Sequence, residues 1–161
     1  MAYNVAMSIR VRLATPEDAE LMHEVMQRSF AEYLGVLRVA SSAHAETVAD
    51  VRRALVAGGG ALAWIESACV GSARFALEPD VLYVGRVAVL PEFRRRGIAS
   101  RLMRFIEEHA PSLGRDVVSL KARAALPSNV ELYRSLGYEV LVDRPHPRGD
   151  DRELTLAKRL R

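Results

Sequence analysis

Residues 87–104 read VAVLPEFRRRGIASRLMR, and their reading decides the fold. The run Tyr83 to Leu90 is short, apolar and rich in β-branched residues, which predicts a buried strand. Pro91 ends it, because proline cannot donate to a ladder. Ile98, Leu102, Met103 and Ile106 then recur at helical spacing, so a helix is predicted to begin near Gly97 or Ile98. Between strand and helix lies the turn Arg94-Arg95-Arg96-Gly97-Ile98-Ala99. A helix N-terminus carries unpaired N–H groups and a partial positive charge. Set beside several arginines, such a terminus suits a pyrophosphate.

Working outward, a chain of 161 residues is expected to form one domain, 1–161, large enough to bury a core. Half of the residues are hydrophobic, which argues against disorder. No apolar run reaches the length of a membrane span. The N-terminal MAYNVAMSIR has no basic start followed by an apolar core, so no secretory signal is read there. The single cysteine, Cys69, excludes an internal disulfide framework and a multi-cysteine zinc site, and its apolar surroundings predict a buried small hydrophobe. A reducing, cytoplasmic setting fits this usage. His23, His44, His109 and His146 show no metal-ligand spacing, so no metal is assigned. The net charge is +3, and of the 23 basic residues only Lys121 and Lys158 are lysines. Basic balance permits a nucleic-acid partner, but no aromatic residues interleave the arginines as a single-strand-binding face requires. Neither nucleic acid nor membrane is expected as a partner.

Ile9 to Leu13 alternates as a half-buried strand. Thr15-Pro16-Glu17-Asp18 opens a helix reaching about Tyr33. A second helix is predicted over roughly Ala45 to Ala57, stopped by Gly58-Gly59-Gly60. Ala61 to Glu66 and Cys69 to Leu77 form a hairpin, and the Tyr83 strand and its helix follow. Val117 to Arg123 is a strand. A short helix opens at Pro127-Ser128-Asn129 with Ser128 as cap, and the strands Tyr138 to Val142 and Glu153 to Arg159 close the chain. Hairpins imply antiparallel pairs, and the helix after the central strand implies a parallel crossover. The predicted class is mixed α/β: a mostly antiparallel sheet of six to seven strands with helices on both faces.

This order, with Arg94-x-x-Gly97-x-Ala99 preceded by Val87-Ala88-Val89-x-Pro91 and followed by Leu132-Tyr133-x-x-x-Gly137-Tyr138, resembles the GNAT N-acetyltransferase superfamily over nearly the whole chain. The resemblance implies an acetyl-CoA-dependent transfer of an acetyl group to a primary amine, on a small molecule or a peptide, by direct attack on the thioester. It implies that Arg94, Arg95, Arg96, Gly97, Ile98, Ala99 and Ser100 hold the pyrophosphate, largely through backbone amides. Val87, Ala88 and Val89 would pair with the pantetheine arm. Tyr133 would protonate the departing thiolate, and a homodimer is a family-level expectation. Gly97 lets the backbone approach the phosphates and Ala99 is small enough not to intrude. A phenol and a thiol have comparable ordinary pKa values, so that proton transfer is chemically reasonable.

Two positions depart from the family pattern. Leu126 stands seven residues before Tyr133, where many members have asparagine. Asn129 lies only four before it, and as a cofactor contact it competes with a cap or a wall of the site. No acid lies within Leu82 to Leu90, which leaves the general base to water or to Glu32, Glu78, Asp80 or Glu92. Arg86 is a charge in an apolar strand, costly unless paired. It either pairs with an acid or faces the acceptor, pointing away from Val87 and Val89. Tyr33, Ser41, Ser42 and His44 in the link between the first two helices are further acceptor candidates, and His146 to Asp151 is a candidate pocket wall. The rival to an enzyme is a catalytically inactive acyl-CoA sensor of the same fold.

Overall fold

The computed structural model describes residues 8–161. The stretch 1–7, within which no secretory signal was read, lies outside the described residues. Seven strands, β1 (Ile9–Leu13), β2 (Gly59–Ile65), β3 (Ala68–Leu77), β4 (Leu82–Val89), β5 (Val117–Arg123), β6 (Glu139–Pro145) and β7 (Arg152–Arg159), form one sheet in the order β1-β2-β3-β4-β5-β7-β6. Four helices accompany it: α1 (Ala19–Phe30), α2 (Val48–Ala57), α3 (Ile98–His109) and α4 (Pro127–Ser135). Every strand pair is antiparallel except β4–β5, the crossover made through α3. The mixed, mostly antiparallel sheet with helices on both faces is as expected from the sequence.

The apolar stripe of α3 explains its place. Ile98, Leu102, Met103 and Ile106 are each at most 2 % exposed and pack on the sheet with Ala73, Phe75, Leu82, Val84 and Leu120. Each such side chain contributes about 1.5–3 kcal/mol on burial. Gly71 permits the close approach: a Cβ there would lie 2.9 Å from Ile98 and 3.2 Å from Leu102. On the opposite face α1 and α2 bury Met22, Met26, Val51 and Leu55 against Leu62.

Three local expectations are corrected. α2 begins at Val48, not Ala45, because Thr47 and Asp50 form a reciprocal capping box there, while Ser42–Ala45 is a separate 3₁₀ turn. Only Gly58 ends α2; Gly59 and Gly60 already pair with Phe75 and Arg74 in the sheet. Ser128 does not cap α4, since Pro127 takes the first helical position and Leu126 precedes it.

The decisive irregularity is in β4. Gly85 pairs with Arg74, yet Ala88 pairs with Ser72, so one residue too many stands opposite Ala73. This is a β-bulge, and Arg86 within it has φ 54°, the left-handed region that non-glycine residues seldom occupy. Simple alternation would put Arg86 on the core face with Leu82 and Val84. The bulge instead takes it to the α1/α2 side. The other edge of β4 is irregular too: pairing with β5 ends at Val84–Leu120, and the two strands separate beyond it.

Candidate active site

Where β4 and β5 part, two adjoining cavities open. The smaller, of about 420 Å³, is walled by Val87, Ala88 and Val89 of β4, by Arg94, Arg95 and Gly97 to Ser100, and by Asn129 and Tyr133 of α4. The larger, of about 850 Å³, lies between the α1–α2 link and the β6–β7 loop. Phe30, Tyr33, Val87, Asn129 and Tyr133 line both.

The smaller cavity is built from main chain. The first helical bond of α3 runs from the Arg101 N–H to the Gly97 carbonyl at 3.0 Å. The six amides from Arg95 to Ser100 therefore have no main-chain acceptor among the described residues. Arg95 (φ 63°) and Gly97 (φ 78°) turn the chain through left-handed conformations to produce this array. Six donors at the positive end of a twelve-residue helix suit an anion. A Cβ at Gly97 would meet no atom within 4 Å, so what favours glycine is its φ rather than lack of room.

The arginine side chains divide their tasks. Arg94 turns back onto α1: it ion-pairs with Glu32 and donates to the carbonyls of Ser29 at 3.0 Å and Val89 at 3.2 Å. Its guanidinium thus ties the turn to the C-terminal end of α1. Arg96 stacks over the Phe93 ring at 5.2 Å and lines neither cavity. Arg95 is exposed and lines the smaller cavity. A run of three arginines reads alike in sequence; only packing separates anchor, stack and exposed cation.

Tyr133 is 9 % exposed and forms the common wall of the two cavities. Burial pushes its phenol well above the ordinary tyrosine value, with Tyr33 and Tyr83 adding to the effect. It is therefore protonated throughout the neutral range, and the same shift makes it a weaker acid than an ordinary phenol. Its ring meets Tyr138 edge to face at 6.2 Å, which fixes its orientation. Asn129 lines both cavities and does not cap α4.

The larger cavity is built from side chains. Arg86 donates through Nε to Glu46 at 2.7 Å and through Nη2 to Ser42 at 2.8 Å. Arg74 holds the same Glu46 carboxylate with two bonds, at 2.7 and 2.8 Å. Burial alone would push the Glu46 carboxyl up, but the hydrogen bonds from Arg74 and Arg86 outweigh it, and the group lies below its ordinary value. Of the alternatives read for Arg86 the ion pair with an acid is present, and the side chain also lines the larger cavity. Arg123, Lys121, His146, Arg148 and Glu153 form the far wall, so the loop that begins at His146 does border the cavity. His146 is held below its ordinary pKa by burial and by Arg123, and its Nδ1 accepts from the Arg148 N–H at 3.1 Å. Its neutral ring therefore carries the proton on Nε2.

His44 lines neither cavity, and its Nε2 is buried without a partner. None of Glu32, Glu78, Asp80 and Glu92 lines either one; Glu32 pairs with Arg94 and Glu92 with Arg28. The acids that do belong here are Glu153, on the cavity wall, and Glu46 behind Arg74 and Arg86. Arg74, Tyr83, Lys121 and Arg123 were likewise not singled out. For Glu153 a weak signal existed, since alternation along β7 puts it opposite Leu154 and Leu156. For Glu46 there was none.

The model of the acetyltransferase (GNAT) family matches residues 22–138, more than half of the chain. The chain belongs to the GNAT acetyltransferase family. Membership makes it an N-acetyltransferase. Solved GNAT structures share the fold at low identity. The ribosomal-protein-S18-alanine N-acetyltransferase of Escherichia coli is 16 % identical with a TM-score of 0.72, over 95 % of this chain and 94 % of that one. The PaiA N-acetyltransferase of Thermoplasma acidophilum, solved with coenzyme A, is 18 % identical with a TM-score of 0.77, over 95 % and 99 %. YncA of Salmonella typhimurium, solved with acetyl-CoA, is 15 % identical with a TM-score of 0.73, over 96 % and 95 %. Among the described residues no helix is long and apolar enough to cross a membrane, and no three His, Cys, Asp or Glu side chains gather to hold a metal.

Proposed function

We propose that this GNAT domain binds acetyl-CoA along the smaller cavity and transfers its acetyl group to a primary amine held in the larger one. The observation that carries the reading is the array of six unpartnered amides, Arg95 to Ser100, set beside the unpaired half of β4. The pyrophosphate of acetyl-CoA takes those amides, and Arg95 adds charge. The pantetheine arm runs along Val87 to Val89, whose edge toward β5 is open because pairing stops at Val84. This brings the thioester to the junction of the two cavities, beside Tyr133.

The amine nitrogen attacks the thioester carbon, the C–S bond breaks, and the Tyr133 hydroxyl gives its proton to the departing thiolate. Main-chain N–H groups near Val87 to Val89 stabilise the oxyanion. The proton lost by the amine leaves to water in the larger cavity. Glu153 is a weak base: burial would raise its carboxyl, but Arg144 and Lys121 hold it below the ordinary value. Tyr83, pushed up by burial, is protonated and is no base.

Tyr133→Phe tests the assignment without opening a hole. It should lower kcat about 100-fold while the KM for acetyl-CoA changes little, measured as free thiol release with a panel of amines. An unchanged kcat would remove Tyr133 as the acid.

A further inference from the structure

The larger cavity has more positive charge than its own acids can answer. Arg74, Arg86, Lys121, Arg123 and Arg148 line it, against one lining carboxylate, Glu153. Adding the two acids that touch these cations from behind, Glu46 and Asp151, still leaves three negative charges against five. Arg74 and Arg86 share the single carboxylate of Glu46. Glu153 is divided between Lys121 and Arg144, a further cation just outside the cavity. Arg148 donates to the Ala40 carbonyl at 3.1 Å and has no carboxylate partner among the described residues. The Nη1 group of Arg86 likewise donates to no described protein atom, although Nε and Nη2 of the same guanidinium are engaged.

The cations are also held in place. Glu46 and Ser42 orient Arg86, and Arg123 is tied to the Val39 carbonyl at 2.7 Å and to Asp151 at 3.3 Å. Such anchored, half-dry guanidiniums are poorly satisfied by water alone and suit a carboxylate or phosphate, to which they offer paired donors. The same field disfavours an ammonium group. It lowers the pKa of an incoming amine, which raises the neutral fraction able to attack. This agrees with a site whose one lining carboxylate is a weak base.

We infer that the acceptor is an amine that also carries an anionic group, a carboxylate or a phosphate, held by Arg86 and Arg148 within the larger cavity that both line. The inference rests on the larger cavity being the acceptor site of the proposed transfer.

The test uses pairs of amines that differ only in the anion. β-Alanine is set against β-alaninamide, and phosphoethanolamine against ethanolamine, with spermidine as a cationic amine and thiol release from acetyl-CoA as the readout. The anionic member of at least one pair should show a kcat/KM ten-fold or more above its neutral partner; the pair with the larger ratio tells carboxylate from phosphate. Arg148→Gln, on an exposed loop, should shrink that ratio at least three-fold. Equal rates within both pairs, or a preference for spermidine, would overturn the inference while leaving acetyl transfer intact. A second arm separates the two readings. N-acetyl-β-alanine and inorganic phosphate are titrated calorimetrically onto the complex of the full chain with CoA. Binding weakened by Arg148→Gln supports the anion site even if no amine turns over, in which case only the transfer reading fails. Where no amine turns over, failure of both anions to bind sinks the inference.

Discussion

On the proposed reading the smaller cavity is the donor cavity and the larger the acceptor cavity, and the two present charge by different means. The donor cavity presents backbone: consecutive amides from Arg95 to Ser100 and an unpaired strand edge, within one stretch of chain. The acceptor cavity presents side chains drawn from β3, β4, β5, β7 and two loops, oriented by ion pairs between segments far apart in sequence, such as Arg74 and Arg86 with Glu46. Main-chain recognition needs only a helix terminus and a turn of the right conformation, so it tolerates change in most side chains. Side-chain recognition depends on every partner. The difference teaches why the donor half of such a site is readable as a motif and the acceptor half is not.

The sharpest way to break the comparison is to make a side chain matter in the donor cavity. Ala99→Glu puts a carboxylate among the amides meant for pyrophosphate. It should weaken acetyl-CoA binding at least about 100-fold, given charge repulsion and loss of charge-assisted bonds. The fold should hold, because an acid in the first turn of a helix is stabilising. Calorimetric titration alongside a thermal melt separates the two effects, and normal affinity would show that these amides are not the cradle.

A smaller effect is expected in the acceptor cavity from Glu46→Gln, which strips two guanidiniums of their shared charge. We expect a loss of about 2 kcal/mol, seen as a Tm lower by several degrees at pH 7. The sign with pH follows from the depressed Glu46 carboxyl. The stability it contributes is present above the unfolded carboxyl value of about 4.3 and is lost as pH falls through the lower folded value. Wild type and variant should therefore converge as the medium is acidified below that window. A gap that persists at low pH would mean that the charge of Glu46 is not what holds Arg74 and Arg86.

The smallest effect sharpens the contrast from the donor side. Arg95 is exposed with φ 63°. Arg95→Gly relieves a left-handed conformation and should raise stability by about 0.5 kcal/mol. If recognition is by main chain, acetyl-CoA affinity should fall only a few-fold. A loss as large as that of Ala99→Glu would make the arginine side chain, not the amides, the main contact.

Legibility followed the same division. The α3 stripe and the glycine of the turn were evident because each obeys a local rule, helical period and a left-handed φ, whereas Tyr133 was named only through the family resemblance. Nothing local distinguishes Arg94 from its neighbours; its partners Ser29 and Glu32 lie more than sixty residues away. Glu46 and Glu153 were passed over for the same reason, and Glu32, Glu78, Asp80 and Glu92 were considered in their place.

By itself the sequence determined the order of elements, the face α3 buries and the glycine turn that opens α3, since propensity, period and turn chemistry act over a few residues. Only the tertiary structure decided the bulge that carries Arg86 out of the core, the parting of β4 from β5, and the excess of positive charge around the acceptor cavity. Those depend on which strand lies beside which and on how many acids reach a given cation, and both are set when distant segments pack together.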